Sequence, residues 1–114
     1  MKTLLIRGAA PVPEALREIV SRGSTSLQER RAADLAPPQA AIPVDRVVFW
    51  ASRYDAEVYA LAQEYSRVES KERRETIVFV AADGAPAPER LAATEVFCWP
   101  RDEDRLTMAF LTGA

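Results

Sequence analysis

The chain has no histidine, and Cys98 is the only cysteine among its 114 residues. Without imidazole there is no His general acid or base and no Ser-His-Asp or Cys-His nucleophile, and most zinc sites are excluded. A lone thiol cannot close an intrachain disulfide, so a reducing cytoplasm is the expected setting. No window has the roughly 20 apolar residues that a membrane-spanning helix needs. The opening run Met1-Lys2-Thr3-Leu4-Leu5-Ile6 is broken at Arg7. It is too short for a secretory signal and reads as a strand. There is also no basic excess: 15 Lys and Arg stand against 17 Asp and Glu, a net charge of −2. That balance does not favour neutralising phosphates, so no nucleic-acid partner is expected.

What is present suits one globular unit. Hydrophobic content of 48% can build a core, and 28% charge is ordinary for a solvated surface. The length predicts a single domain over 1–114. Thr3 to Ile6 predicts a strand. Pro13 suits the first turn of a helix whose Leu16, Ile19 and Val20 recur at helical spacing, and Gly23 stands where that helix should stop. Thr25, Leu27 and Glu29 alternate with Ser26, Gln28 and Arg30, the pattern of a weak edge strand. A short helix over 31–36 would end at Pro37-Pro38.

Asp45-Arg46-Val47-Val48-Phe49-Trp50-Ala51 and Thr76-Ile77-Val78-Phe79-Val80-Ala81 are the two longest β-rich apolar runs. Such runs suit central strands buried on both faces. Between them, Val58, Leu61, Ala62, Tyr65 and Val68 form a helical stripe, with Ser52 as a candidate cap and Tyr59 off the stripe. The charged run 67–75 reads as a solvated helix end. Asp83-Gly84 marks a turn, and a turn or two of helix is expected over Glu89 to Ala92. Val96 to Trp99 is the last strand. Asp102 can then cap a final helix with Leu106, Ala109 and Phe110 inward. Strands alternating with helices predict a parallel α/β sheet with right-handed crossovers.

The segment Leu91-Ala92-Ala93-Thr94-Glu95-Val96-Phe97-Cys98-Trp99-Pro100-Arg101-Asp102-Glu103-Asp104-Arg105-Leu106 resembles the receiver domains of bacterial two-component response regulators. There a small pair, two polar residues, three apolar residues and Lys-Pro lead into an acidic helix start. The resemblance covers nearly the whole chain. It implies a flavodoxin-like three-layer sandwich, with five parallel strands in the order 2-1-3-4-5 and a short fourth helix.

The resemblance also implies a phosphorylation site, and here the residues depart from it. Arg7 and Gly8 stand where an acidic pair would help bind Mg²⁺. Trp50 stands where the acceptor aspartate would be, Ala81 (or Val80 with a one-residue slip) where a Thr or Ser would be, and Trp99 where a Lys would be. A guanidinium repels the metal, and an indole has only an N–H donor. The expected product is a pseudo-receiver that keeps the fold without the phosphorylation chemistry, with no cofactor and no enzymatic activity.

Two uses of the changed positions follow. Trp50 and Trp99, at neighbouring strand ends, either form a recognition surface or fill the emptied pocket as core; core filling is favoured. Arg7 could hold an anion beside a helix N-terminus, or pair with Asp55 or Asp83. That crevice is the basis of an alternative reading as a small-ligand or anion-binding domain. Asp55, Asp83 and Asp102 are better explained as caps and turns than as a displaced metal site. Cys98, inside an apolar run, is expected to be buried and inert. The resemblance implies a contact face for a protein partner or a second copy, formed here by Leu91, Trp99, Arg101, Arg105, Met108 and Leu111, with Pro86 and Pro88 leading into it.

Overall fold

The computed structural model describes residues 2–8, 10–32, 45–53, 56–67, 76–85 and 94–111. They form β1 (Lys2–Arg7), α1 (Glu14–Arg22), β2 (Ser26–Arg31), β3 (Arg46–Ala51), α2 (Ala56–Arg67), β4 (Thr76–Ala82), β5 (Thr94–Trp99) and α3 (Glu103–Leu111). The five strands make one sheet in the order β2-β1-β3-β4-β5. Every pairing is parallel. This is a flavodoxin-like α/β fold with its strand order as expected. The short helices expected over 31–36 and 89–92 fall largely or wholly outside the described residues, as do Asp55, Pro86, Pro88 and Leu91.

Strand alternation divides the core in two. Leu4, Ile6, Val47, Phe49, Ile77, Phe79 and Ala81 face one side and pack with Val58, Tyr59, Leu61 and Ala62 of α2. Leu5, Val48, Trp50, Val78, Val80 and Phe97 face the other, against Leu16 and Val20 of α1 and Leu106 and Phe110 of α3. Each fully buried large side chain contributes about 1.5–3 kcal/mol. Residues 47–51 of β3 and 77–81 of β4 are apolar throughout because both their faces are covered. Edge strand β2 alternates half-buried Leu27 and Glu29 with exposed Ser26, Gln28 and Arg30.

Several local expectations change. Tyr59 is not exposed: at 8% exposure it belongs to the core, with its ring centroid 5.1 Å from that of Phe79. The covered stripe of α2 is wide enough to include it. Ser52 is exposed, and the residues between Arg53 and Ala56 that would receive a cap from it lie outside the described residues. Pro13 occupies the position just before α1 rather than its first turn.

Gly23 does follow the end of α1, but at an ordinary φ of −84°. Its glycine character has another cause. A Cβ there would stand 2.8 Å from Phe110 Cβ and 2.9 Å from the Phe110 carbonyl oxygen. Only a hydrogen lets α3 come this close to the end of α1. The turn after β4 does use the left-handed region, with Gly84 at φ +92°.

Candidate functional site

The ends of β1, β3 and β4 place the changed positions side by side. Trp50 lies opposite Arg7 on one side and Val80 on the other, and Ala51 lies opposite Ala81. Arg7 does not pair with Asp83, and Asp55 lies outside the described residues. Its Nε donates to Glu29 Oε2 at 2.7 Å, and its Nη1 donates to the Gly8 carbonyl at 2.9 Å. Arg17 of α1 grips the other oxygen of Glu29, with Nη2 at 2.8 Å. Glu29 is thus a bridge between two arginines on the α1 side of the sheet. Partial burial would raise its carboxyl, but the hydrogen bonds and charges of Arg7 and Arg17 outweigh this and hold it below the usual carboxylate range. Asp83 is instead 3.8 Å from Arg101, a loose exposed pair.

Trp50 is 3% exposed and sits in the α1–α3 core. Core filling is what its indole does. Val80 shares that core face at 0% exposure, while Ala81 is 2% exposed on the α2 side. Neither carries a hydroxyl. Trp99 is half-buried against the same cluster as Trp50, so the two indoles belong to one apolar layer. The peptide bond from Trp99 to Pro100 is cis.

These residues do not fit Mg²⁺. The metal takes hard oxygen ligands in tight octahedral geometry. Here the positions hold a guanidinium engaged with Glu29, a glycine and a buried indole. Among the described residues no three acidic or cysteine side chains are grouped to hold a metal ion.

The second candidate region is the β5–α3 face. Phe97 is buried, and the Arg105 guanidinium lies 5.2 Å from its ring centroid. Arg105 is also 3.5 Å from Asp102. Met108, 60% exposed, is the large hydrophobic left open among the described residues. Glu95, Phe97, Asp104, Arg105, Met108 and Ala109 line a shallow groove of about 380 Å³. The structure therefore brings Arg105 and Met108 to one groove, with Trp99 and Arg101 at the end of β5 leading into α3. Leu91 and the Leu111 side chain lie outside the described residues.

Asp102 works differently from a simple helix cap. Its carboxylate accepts the Cys98 N–H at 2.8 Å, and its own N–H donates to the Cys98 carbonyl at 2.7 Å. This closes the end of an edge strand by pairing its outward backbone groups. Cys98 itself is half-buried rather than buried, on the strand that ends the order of the described sheet.

One residue with a structural role was hidden in an apolar run. Arg46 is 1% exposed at the start of β3. Its guanidinium stacks 4.1 Å from the Phe110 ring centroid, a favourable arrangement for a buried cation. Burial lowers the guanidinium from its ordinary value and the Glu95 charge opposes this. An arginine in a strand covered on both faces was the available signal, since such a charge must find partners inside. No family model matches the chain, and no curated protein matches it.

Proposed function

We propose that this protein is a non-catalytic pseudo-receiver: a signalling module of the response-regulator receiver type that acts by binding a protein, without being phosphorylated. The observation that carries the reading is Trp50. On a 2-1-3-4-5 parallel sheet, the end of β3 is where a receiver presents its acceptor carboxylate. Here a core indole occupies it, closed over by α1 and α3 residues. Phosphoryl transfer needs an oxygen nucleophile and a metal to spread charge, and Arg7, Gly8, Trp50 and Ala81 supply a carboxylate for neither. A surface suited to recognition is the β5–α3 groove, where exposed Met108 is flanked by Arg105 and Asp104. Exposed apolar side chains rimmed by charge are a common form of contact site. The partner is a protein of the same cytoplasm or a second copy of this chain. Affinity capture with the full chain tests this: a partner retained by the wild type should be lost by Met108→Asp and by Arg105→Glu. Retention by both variants would remove the groove from the proposal.

A second reading, a small-anion or small-ligand site at the strand ends, draws on one observation. The Trp50 Nε1–H is buried with no hydrogen-bond acceptor among the described residues. Leaving such a donor unsatisfied costs about 1–3 kcal/mol, which a bound acceptor would relieve. Titrating phosphate or nucleotide while following tryptophan fluorescence tests it; an unchanged spectrum removes it.

A further inference from the structure

Charge is unevenly spread over a molecule whose net charge is only −2. Glu29 lies at the centre of an arginine cluster on the β2 edge. Arg7 and Arg17 hold its carboxylate at 2.7 and 2.8 Å, and Arg30 Nη1 donates to its carbonyl oxygen at 3.0 Å. Arg31 follows and stands opposite Arg7 in the β1–β2 register. Two guanidiniums hold the carboxylate, and the same strand end carries two more arginines, Arg30 and Arg31, both exposed. The low titration of Glu29 agrees with a positive local potential. At the other edge the balance reverses: Asp83, Glu95, Asp102, Glu103 and Asp104 outnumber Arg101 and Arg105.

We propose that the β2 edge is a docking surface for an acidic, extended segment of a partner protein, with carboxylates seated on Arg30 and Arg31. Three features favour this occupant. Guanidinium groups bind carboxylates strongly through several N–H donors, and at this edge Arg7 and Arg17 already hold both oxygens of Glu29. β2 is the last strand of its side of the sheet, the place where an extended segment can lie alongside. The patch is also small. Nucleic-acid binding with strong salt dependence rests on about 6–10 phosphate contacts, whereas two of these four arginines are already engaged with a carboxylate and the acidic opposite edge repels a long polyanion. This surface is separate from the β5–α3 groove, so the two proposals stand or fall independently.

The test is fluorescence anisotropy on the full chain at low salt. The probes are a labelled short polyglutamate peptide, a polyglutamine peptide of equal length and an oligothymidylate of equal length. Polyglutamate should bind, polyglutamine should not, and added salt should weaken the binding. The double reversal Arg30→Glu with Arg31→Glu should weaken it about tenfold or more, whereas Arg101→Glu at the opposite edge should leave it nearly unchanged. Circular dichroism checks that each variant is folded. If the double reversal does not fold, Arg30→Gln with Arg31→Gln removes the charge at the same two exposed positions and should weaken binding in the same direction. Absence of polyglutamate binding, binding indifferent to the charge changes at both positions, or tighter binding of the oligothymidylate would each overturn the proposal.

Discussion

The two edges of the sheet are built from opposite materials. At the β2 edge all side chains but Leu27 are polar, and the strand is tied to β1 and α1 through Glu29 with Arg7 and Arg17. At the β5 edge Phe97 and Trp99 join the core beneath α3, and Asp102 closes the strand end by pairing with the Cys98 backbone. An edge strand exposes unpaired backbone groups and must be protected from other chains. One edge does this with charge, the other with packing and a single carboxylate. The difference bears on recognition too. The charged edge should respond to salt and pH, and the packed edge should respond to side-chain volume and shape.

The largest expected effect is at the packed edge. Phe97 is 2% exposed, and Phe97→Ala should cost about 3–5 kcal/mol, the range for removing a buried aromatic ring. The urea midpoint measures it. A loss below about 1 kcal/mol would mean that β5 is not held by its side chains.

At the charged edge Glu29→Gln should cost less. The Arg7 and Glu29 side chains are 23% and 26% exposed, so water and salt screen the pair and about 1 kcal/mol is the appropriate scale. Its pH dependence gives a sharper test. The carboxyl is held below its unfolded value, so its contribution is present above that value and is lost as pH falls through the folded one. The stability gap between the wild type and Glu29→Gln should therefore be open at neutral pH, narrow in the acid range below about pH 4 and shrink with salt. An equal gap at neutral and acid pH would show that the bridge is not ionic.

The smallest effect on folding belongs to Met108→Asp. With Met108 60% exposed, stability should stay within about 0.5 kcal/mol. Partner capture should nevertheless fail. Retained capture would move the recognition surface away from the packed edge.

The centre of the sheet was legible from sequence because its signals are local. The uninterrupted runs ending in Trp50 and Ala81 needed no partner to read as strands covered on both faces. The Trp99-Pro100 cadence gave the strand order through resemblance, and the strand order is as expected. The places of Arg7, Trp50, Ala81 and Trp99 at the strand ends were legible for the same reason. What could not be read depended on distant pairings. Arg7 finds Glu29 across 22 positions through strand register, and nothing near Arg7 in the sequence points to β2. Gly23 looked like a helix stop, yet its lack of a side chain answers to Phe110. Arg46 was absorbed into an apolar run because the face of Phe110 that receives it lies on the last helix. Tyr59 was misjudged because the covered side of α2 is wider than the stripe that marks it.

The central claim is that the end of β3 carries a core indole where a receiver carries its acceptor. Incubation of the full chain with acetyl phosphate and Mg²⁺, followed by intact-mass measurement, tests it most directly. The mass should be unchanged, with no added phosphoryl group. A stoichiometric phosphoryl adduct would contradict the account, and locating the modified residue would show which side chain had taken the place of Trp50.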